Sequence, residues 1–474
     1  MRVSSGAHDS PEPAVLIHAT KPLFAWDELQ ASPTLGTIRQ ALEAIPDGPL
    51  LAALQARRHN GCDKYPVRVL WGVLLLSILL RHTTTEACLE ELKRNAPLRL
   101  LIGIEGEEAV PNGWNMTRFL AVLGQPAHLA LVREVFDHMV RRLGAAVPDL
   151  GRHTAGDSTG LRGRLDPDES RRAGEVADGL PQANGGRKEY TDDEGRVTKV
   201  VEWFGYKLHL LVDVRHEVVL AFDITDTKAG DNERIEMLVE QAENNLPADR
   251  LGTLAYDKAA DDGKVHEVLH ERGIRPVIQN RACWPKGGER EKVIGGRIPL
   301  HVVHDEAGTV FCYDTTGAVP IRRAMSYAGY EKDRGTLKYR CPARVEGFAC
   351  GSAAKCNAGR AYGMTVRVPQ AIDLRRFPAI PRATPQFERL YKGRTAVERV
   401  NDRLKVYWGL DDGNVVGARR FCAHVSAVLV VHLACATLLA RAQRAEGAFG
   451  TMRLSPIAKM LAELAASDIG TVGT

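Results

Sequence analysis

Residues 421–440 read FCAHVSAVLVVHLACATLLA, twenty positions without one Asp, Glu, Lys or Arg. A helix that is apolar on every side must be surrounded, either by lipid or by the centre of a large core. The run is long enough to cross a bilayer. It carries His424, Ser426, His432 and Thr437, however, and the next apolar run, residues 69–80 (VLWGVLLLSILL), is too short to be a second span. We read 421–440 as a buried core helix. The rest of the chain must then wrap layers of structure around it. With 474 residues the chain has material for two to four compact units.

Composition agrees with that reading. Hydrophobic residues make up 44% and charged residues 26%, ordinary for a globular protein, which excludes a disordered chain, a collagen and a coiled-coil rod. The first two dozen residues lack a continuous apolar stretch, so a secretory signal is not expected and the expected location is cytoplasmic, with no membrane partner. The nine cysteines then read as thiols, some of them as metal ligands, and not as a disulfide framework.

The texture of the chain changes along its length. Residues 1–150 carry helical periodicity, with Thr85 as a candidate N-cap of the helix that runs to Arg94. From 151 to 280 the pattern is α/β. A short TAGDSTGL segment comes first, then a polar stretch at 162–196 expected to be a long mobile loop. Two β-rich runs, WFGYKLHLLVDV and EVVLAFDIT, are separated only by Arg215 and His216, and two helix–strand units follow. Residues 281–380 are punctuated by Gly, Cys, Pro and Arg and read as an inserted β subdomain. Helices return over 381–442, and 443–474 reads as a tail.

The net charge of +4 says little, but its distribution is informative. Between residues 381 and 405 stand seven Lys/Arg and three acids, so this one segment carries the whole excess. Within it, Tyr391, Arg394, Glu398 and Lys405 would share a stripe about 60° wide on one continuous helix. Leu390, Val397, Val400, Leu404 and Trp408 would face the other way. Gly393 is the weak point, and the helix could instead begin after it. Such a stripe is either a solvated charged face or a carboxylate framed by cations and a phenol.

Two aspartates decide between these. Asp157 lies in the strand-like GDST segment, and Asp257 ends the strand LGTLAY. Either alone reads as a cap or turn residue. Together with a helix-borne Glu398 they can gather three carboxylates at one sheet edge. Such a cluster repels itself unless hard cations such as Mg²⁺ or Mn²⁺ enter. Two such ions can activate a water or a 3′-hydroxyl at a phosphodiester. Lys207 and His209 alternate on the second strand and so face one side of the sheet; His209 reads equally as a satisfied core histidine.

With these residues in view, the chain resembles the DDE-class bacterial insertion-sequence transposases marked by Y-x2-R-x3-E-x6-K. Tyr391, Arg394, Glu398 and Lys405 match that signature at every position. GDST, FGYKLHLLVD and AYDKAADDGKVHEVL resemble the family's first-Asp, GYKxHxxxD and second-Asp segments, over roughly residues 60–440. The second segment departs from the usual D-x-G-Y, which leaves Asp261 or Asp262 as an alternative ligand. The resemblance implies a ribonuclease H-like α/β catalytic core interrupted by a β-rich insertion and preceded by a helical N-terminal DNA-binding domain. Asp157, Asp257 and Glu398 would hold two Mg²⁺ or Mn²⁺ ions. Tyr391, Arg394, Lys405, Lys207 and Arg403 would contact double-stranded DNA. The enzyme would cut and join DNA at inverted-repeat ends, as a nucleoid-associated homodimer or higher assembly. The alternatives are a ribonuclease H-like nuclease that only cuts and a transposase-derived DNA-binding protein with an inert site.

Two features remain outside that reading. Cys312, Cys341, Cys350 and Cys356 in the insertion have small polar loops between them that could wrap Zn²⁺, although no C-x2-C pair is present. Trp284, at the start of the insertion, is either a packed core residue or a wedge beside a displaced base.

Overall fold

The computed structural model describes residues 33–58, 64–192, 196–285, 290–412 and 415–445. The N-terminal stretch 1–32 and most of the expected tail lie outside the described residues.

The first third is helical: α1 (Pro33–Glu43), α2 (Gly48–Arg58), α3 (Val67–Leu79), α4 (Thr85–Arg94), α5 (Ala96–Leu101), α6 (Gly113–Leu123) and α7 (Pro126–Ala146). Helix α3 is apolar on all sides and is correspondingly buried along nearly its whole length. Within it, Trp71 Nε1 donates to the buried Asp47 at 3.0 Å. Helix α4 is capped by Thr84, one residue before the expected Thr85: its Oγ1 accepts the Ala87 amide at 3.1 Å. Asn112 and Asn115 form a reciprocal capping box at the start of α6.

The α/β layer follows with β1 (His153–Arg162), α8 (Glu169–Ala177), β2 (Asn184–Thr191), β3 (Val197–Asp213), β4 (Val219–Thr225), α9 (Ile235–Asn245), β5 (Thr253–Tyr256), α10 (Gly263–Glu271) and β6 (Arg275–Ile278). Its strands stand in the order β4-β3-β1-β5-β6, and β2 pairs with the first half of β3. The β4–β3 and β3–β1 pairs are antiparallel, whereas β1–β5 and β5–β6 are parallel.

The stretch 162–196, expected to be a mobile loop, contains α8 and β2 instead. Asp168 caps α8 through the Arg171 amide at 3.0 Å. Buried Asp166 receives the Arg171 guanidinium at 2.8 Å. The polar composition hid these elements because backbone ladder bonds and ion pairs hold them, not an apolar stripe.

The insertion forms two antiparallel sheets. One holds β7 (Lys292–Val293), β8 (Val302–His304), β9 (Val310–Asp314) and β10 (Ile321–Ala324); the other holds β11 (Ser326–Glu331), β12 (Thr336–Arg340) and, after the short helices α11 (Pro342–Glu346) and α12 (Ala353–Cys356), β13 (Thr365–Pro369). Trp284 packs at its entrance, edge-on to His304 and within cation–π reach of Lys292 and Arg376.

The chain then returns through α13 (Pro385–Tyr391), a 3₁₀ turn (Lys392–Arg394), α14 (Thr395–Trp408) and α15 (Ala418–Ala445). Helix α15 contains the apolar run, and its apolar window is 89% buried inside the protein. It packs against α1, α3, α6, α7, α14 and β4. One hydrophobic cluster therefore runs from Ile38 in α1 through the sheet to Ala440 in α15, while the insertion has a separate, much smaller one.

Candidate active site

The parallel register between β1 and β5 sets Ala155 beside Ala255. Asp157 stands two residues further along β1 and Asp257 directly follows β5; the charge of Asp257 is felt at Asp157, and the charges of both are felt at Tyr256. Gly156 makes this closeness possible. A Cβ there would stand 2.2 Å from a ring carbon of Tyr256, so the tyrosine ring lies flat against the backbone of β1. The Tyr256 hydroxyl is buried beside the acids, without a hydrogen-bond partner among the described residues.

Asp157 is half-buried, and burial pushes its carboxyl up to about 6. Lys188 and the Ser158 amide act in the opposite sense, while Asp231 and Asp257 raise it further. Asp257 uses Oδ1 to accept the Ala259 amide at 2.8 Å, which shapes the 3₁₀ turn after β5.

The helical side of the site departs from the single stripe. Tyr391 belongs to α13 and Glu398 to α14, with the 3₁₀ turn between them. Gly393 lets that turn approach the β3–β4 connection, since a Cβ there would stand 2.7 Å from Val214. The turn packs against β1 and β5. Tyr391 stacks on Phe387 with ring centroids 5.7 Å apart, and its hydroxyl donates to Gln279 just past β6 at 3.1 Å. Arg394 reaches Glu398 at 2.7 Å, and its charge is felt at Tyr391 and Asp157. Glu398 is exposed, and the opposite face of α14, with Val397, Val400, Leu404 and Trp408, is buried as expected.

The remaining cations are less available. Lys207 donates to the Ala229 carbonyl at 2.9 Å and pairs with Asp231 at 2.7 Å. Lys405 donates to the Gly160 carbonyl at 3.0 Å, toward the far end of β1. Arg403 is buried and paired with Glu217 of the β3–β4 turn. His209 is fully buried, its Nε2 at 2.9 Å from Thr225 Oγ1, and burial pushes the ring down to about 4, against the pull of Asp231. It is a packed neutral histidine.

Neither alternative ligand in the second-Asp segment faces the site. Asp261 is buried and receives Arg375 at 2.7 Å, Arg382 at 3.0 Å and the Arg281 amide at 2.7 Å, with His266 Nε2 at 3.1 Å. Burial pushes this carboxyl up, but those partners outweigh it and hold it well below the usual carboxylate range. Asp262 caps α10 through the Lys264 amide at 2.9 Å.

A fourth carboxylate, Asp231, escaped the sequence reading. It accepts the Ser158 hydroxyl at 2.8 Å in addition to Lys207, and its charge is felt at Asp157. In sequence it stands at the start of a helical pattern, where an Asp reads as a cap, and only the β1–β3 pairing brings it to the site.

The donor set fits a hard divalent cation: carboxylate oxygens, one of them pushed up by burial and by its acidic neighbours, the condition a dication relieves. Among the described residues no three His, Cys, Asp or Glu side chains already converge in coordination geometry. Glu398 would have to turn away from Arg394 to join the two aspartates.

Comparison with known proteins gives two family matches. The model described as Transposase DDE domain matches residues 149–433, more than half of the chain, and includes Asp157, Asp231, Asp257 and Glu398. The model described as Transposase domain (DUF772) matches residues 28–121, within the N-terminal helices. No curated protein matches the chain. The paired aspartates, the helix-borne glutamate and the extent of the first match lead to one assignment: the chain belongs to the DDE transposase family and is a metal-dependent DNA transposase.

Proposed function

We propose that Asp157, Asp257 and Glu398 are the catalytic carboxylates of a ribonuclease H-like core interrupted by residues 281–380, and that the helices within residues 1–150 recognise the transposon ends. The strand order β4-β3-β1-β5-β6, antiparallel on one side of β1 and parallel on the other, supports that core. The observation that carries the reading is that Asp157, two residues beyond the last β1–β5 pair, and Asp257, directly after β5, lie close enough for the charge of Asp257 to raise the Asp157 carboxyl, with Arg394 near enough to act on Asp157 as well.

Asp157, Asp257 and Glu398 would hold two Mg²⁺ or Mn²⁺ ions. When bound, such ions lower the pKa of an attacking water or 3′-hydroxyl and stabilise the leaving oxygen. Asp157 stands on strand β1 and Asp257 directly after β5, so the paired strands govern their separation. Arg394 releases Glu398 and takes a phosphate oxygen of the scissile strand in its place, a charge-assisted contact suited to its planar fork. Tyr391, held by Gln279 and Phe387, packs against the same backbone. Lys207 acts from behind, holding Asp231 and through it Ser158. Lys405 ties α14 to β1. Two ends cut in concert require two such sites, hence a dimer or higher assembly on nucleoid DNA.

The experiment is cleavage and joining of a labelled end in Mg²⁺. Asp157→Asn, Asp257→Asn and Glu398→Gln should each abolish strand cleavage and leave end binding intact. Near-normal cutting by any of them removes that residue from the set. Supplying pre-cleaved ends with target DNA separates the two enzymatic readings, because a nuclease that only cuts will not join them. A wild-type chain that binds ends and neither cuts nor joins would identify the inert DNA-binding protein.

A further inference from the structure

The β insertion carries a side-chain cluster that DNA cleavage does not use. Cys312 lies in β9, Cys341 directly follows β12, and Cys350 and Cys356 bracket α12. They come from both sheets of the insertion and from the loop between β12 and β13, yet all four line one cavity of about 20 Å³, together with His301 and Asp314. That is room for one small occupant. All four are free thiols.

The surroundings hold the thiols in place. Asp314, at the end of β9, accepts the Gly351 amide at 2.8 Å, the Ser352 amide at 3.1 Å and the Ser352 hydroxyl at 2.9 Å. It thereby pins the loop that bears Cys350 to the strand that bears Cys312. Asn357 Nδ2 donates to Cys341 Sγ at 3.7 Å, and His301 Nε2 stands 3.7 Å from Cys356 Sγ. Metal ligands are oriented by second partners of this kind.

The insertion has its own small interior. Its buried cluster holds only a dozen residues among those described, Leu337, Val368 and Phe377 at its centre.

We propose that Cys312, Cys341, Cys350 and Cys356 bind one structural Zn²⁺ that ties the two sheets of the insertion together. Thiolate ligands select a soft ion, and a closed set of four suits zinc and not the magnesium of the catalytic carboxylates. On binding, the four thiols release their protons to solvent, and four Zn–S bonds form with no redox change. Among the described residues no three ligands yet stand in coordination geometry, so the sulfurs draw inward to the Zn–S distance of about 2.3 Å on binding.

The test is metal analysis of the full chain, purified without added metal, by inductively coupled plasma mass spectrometry. One zinc per chain is expected, retained by Cys283→Ser, whose thiol is exposed and does not line the cavity. Zinc should be lost from Cys350→Ser and Cys356→Ser. Because those variants can fail to fold, the wild-type chain carries a second measurement. Removal of zinc and addition of Co²⁺ should give the intense ligand-field and sulfur-to-cobalt charge-transfer bands of a tetrahedral tetrathiolate. A wild-type chain without zinc and without those cobalt bands overturns the proposal. So does a disulfide between any two of the four cysteines, or iron in place of zinc.

Discussion

Replacing Asp261 by Asn removes one negative charge from the junction between the insertion and the α/β layer, at nearly constant volume. The carboxylate is fully buried and receives Arg382, itself 7% exposed, Arg375 and the Arg281 amide. Arg382 also donates to the carbonyls of Ile278 and Arg375, so the guanidinium cannot swing out to water without losing those bonds as well. Removing one partner of a buried ion pair while leaving the other in place costs about 3–5 kcal/mol. That is a large part of the roughly 5–15 kcal/mol that separates a typical native protein from its unfolded chain. The pH dependence has a definite sign. Because the folded carboxyl lies below its unfolded value, its contribution is fully present above about pH 4 and is lost as the pH falls further. Urea unfolding followed by circular dichroism, with limited proteolysis of the junctions near residues 281 and 380, reads both effects. The variant should unfold at lower urea and be nicked faster at the junctions at neutral pH, and its deficit should shrink in acid. A midpoint equal to wild type would refute the reasoning. Loss of DNA cleavage at unchanged stability would return Asp261 to the list of metal ligands.

Arg394→Ala should weaken DNA binding and lower the slope of log K against log salt by roughly 0.9, the value for one phosphate contact; an unchanged slope removes Arg394 from the DNA backbone. Asp231→Asn should slow cleavage about ten- to hundredfold, as loss of a supporting partner does, with end binding unchanged. Equal losses in cleavage and binding would assign Asp231 to folding alone.

Much of the site was legible because its chemistry demands particular residue types at particular offsets. Asp157 and Asp257 were recognisable as carboxylates at strand positions, and Arg394 and Glu398 by their helical spacing. Helix α15 was legible because no surface position tolerates so continuous an apolar run. What escaped depended on long-range pairing. Asp231 reaches the site only because β3 lies beside β1, bringing Lys207 and Ser158 to it. The pairing of Arg403 with Glu217 was equally hidden, because a basic run does not reveal which member is buried across the fold. Helix α8 and strand β2 escaped because caps and backbone ladders, not apolar periodicity, define them. Gly393 was correctly seen as a break, but the 3₁₀ turn it permits, and with it the separation of Tyr391 from Glu398, follows from the close approach of Val214.

The position of α15 in chain order bears on how the protein is made. Helices α1, α3, α6 and α7 leave the ribosome hundreds of residues before the partner that fills the space between them. Until residues 418–445 emerge, the faces that these helices and β4 turn toward α15 lack that partner, and the contacts that close the interior span most of the chain. A nascent polypeptide of this architecture holds sticky surface open throughout synthesis of the insertion, which makes chaperone occupancy and aggregation during translation its characteristic hazards. Premature termination anywhere before residue 418 would leave a product without its keystone, fit for degradation and not for partial function.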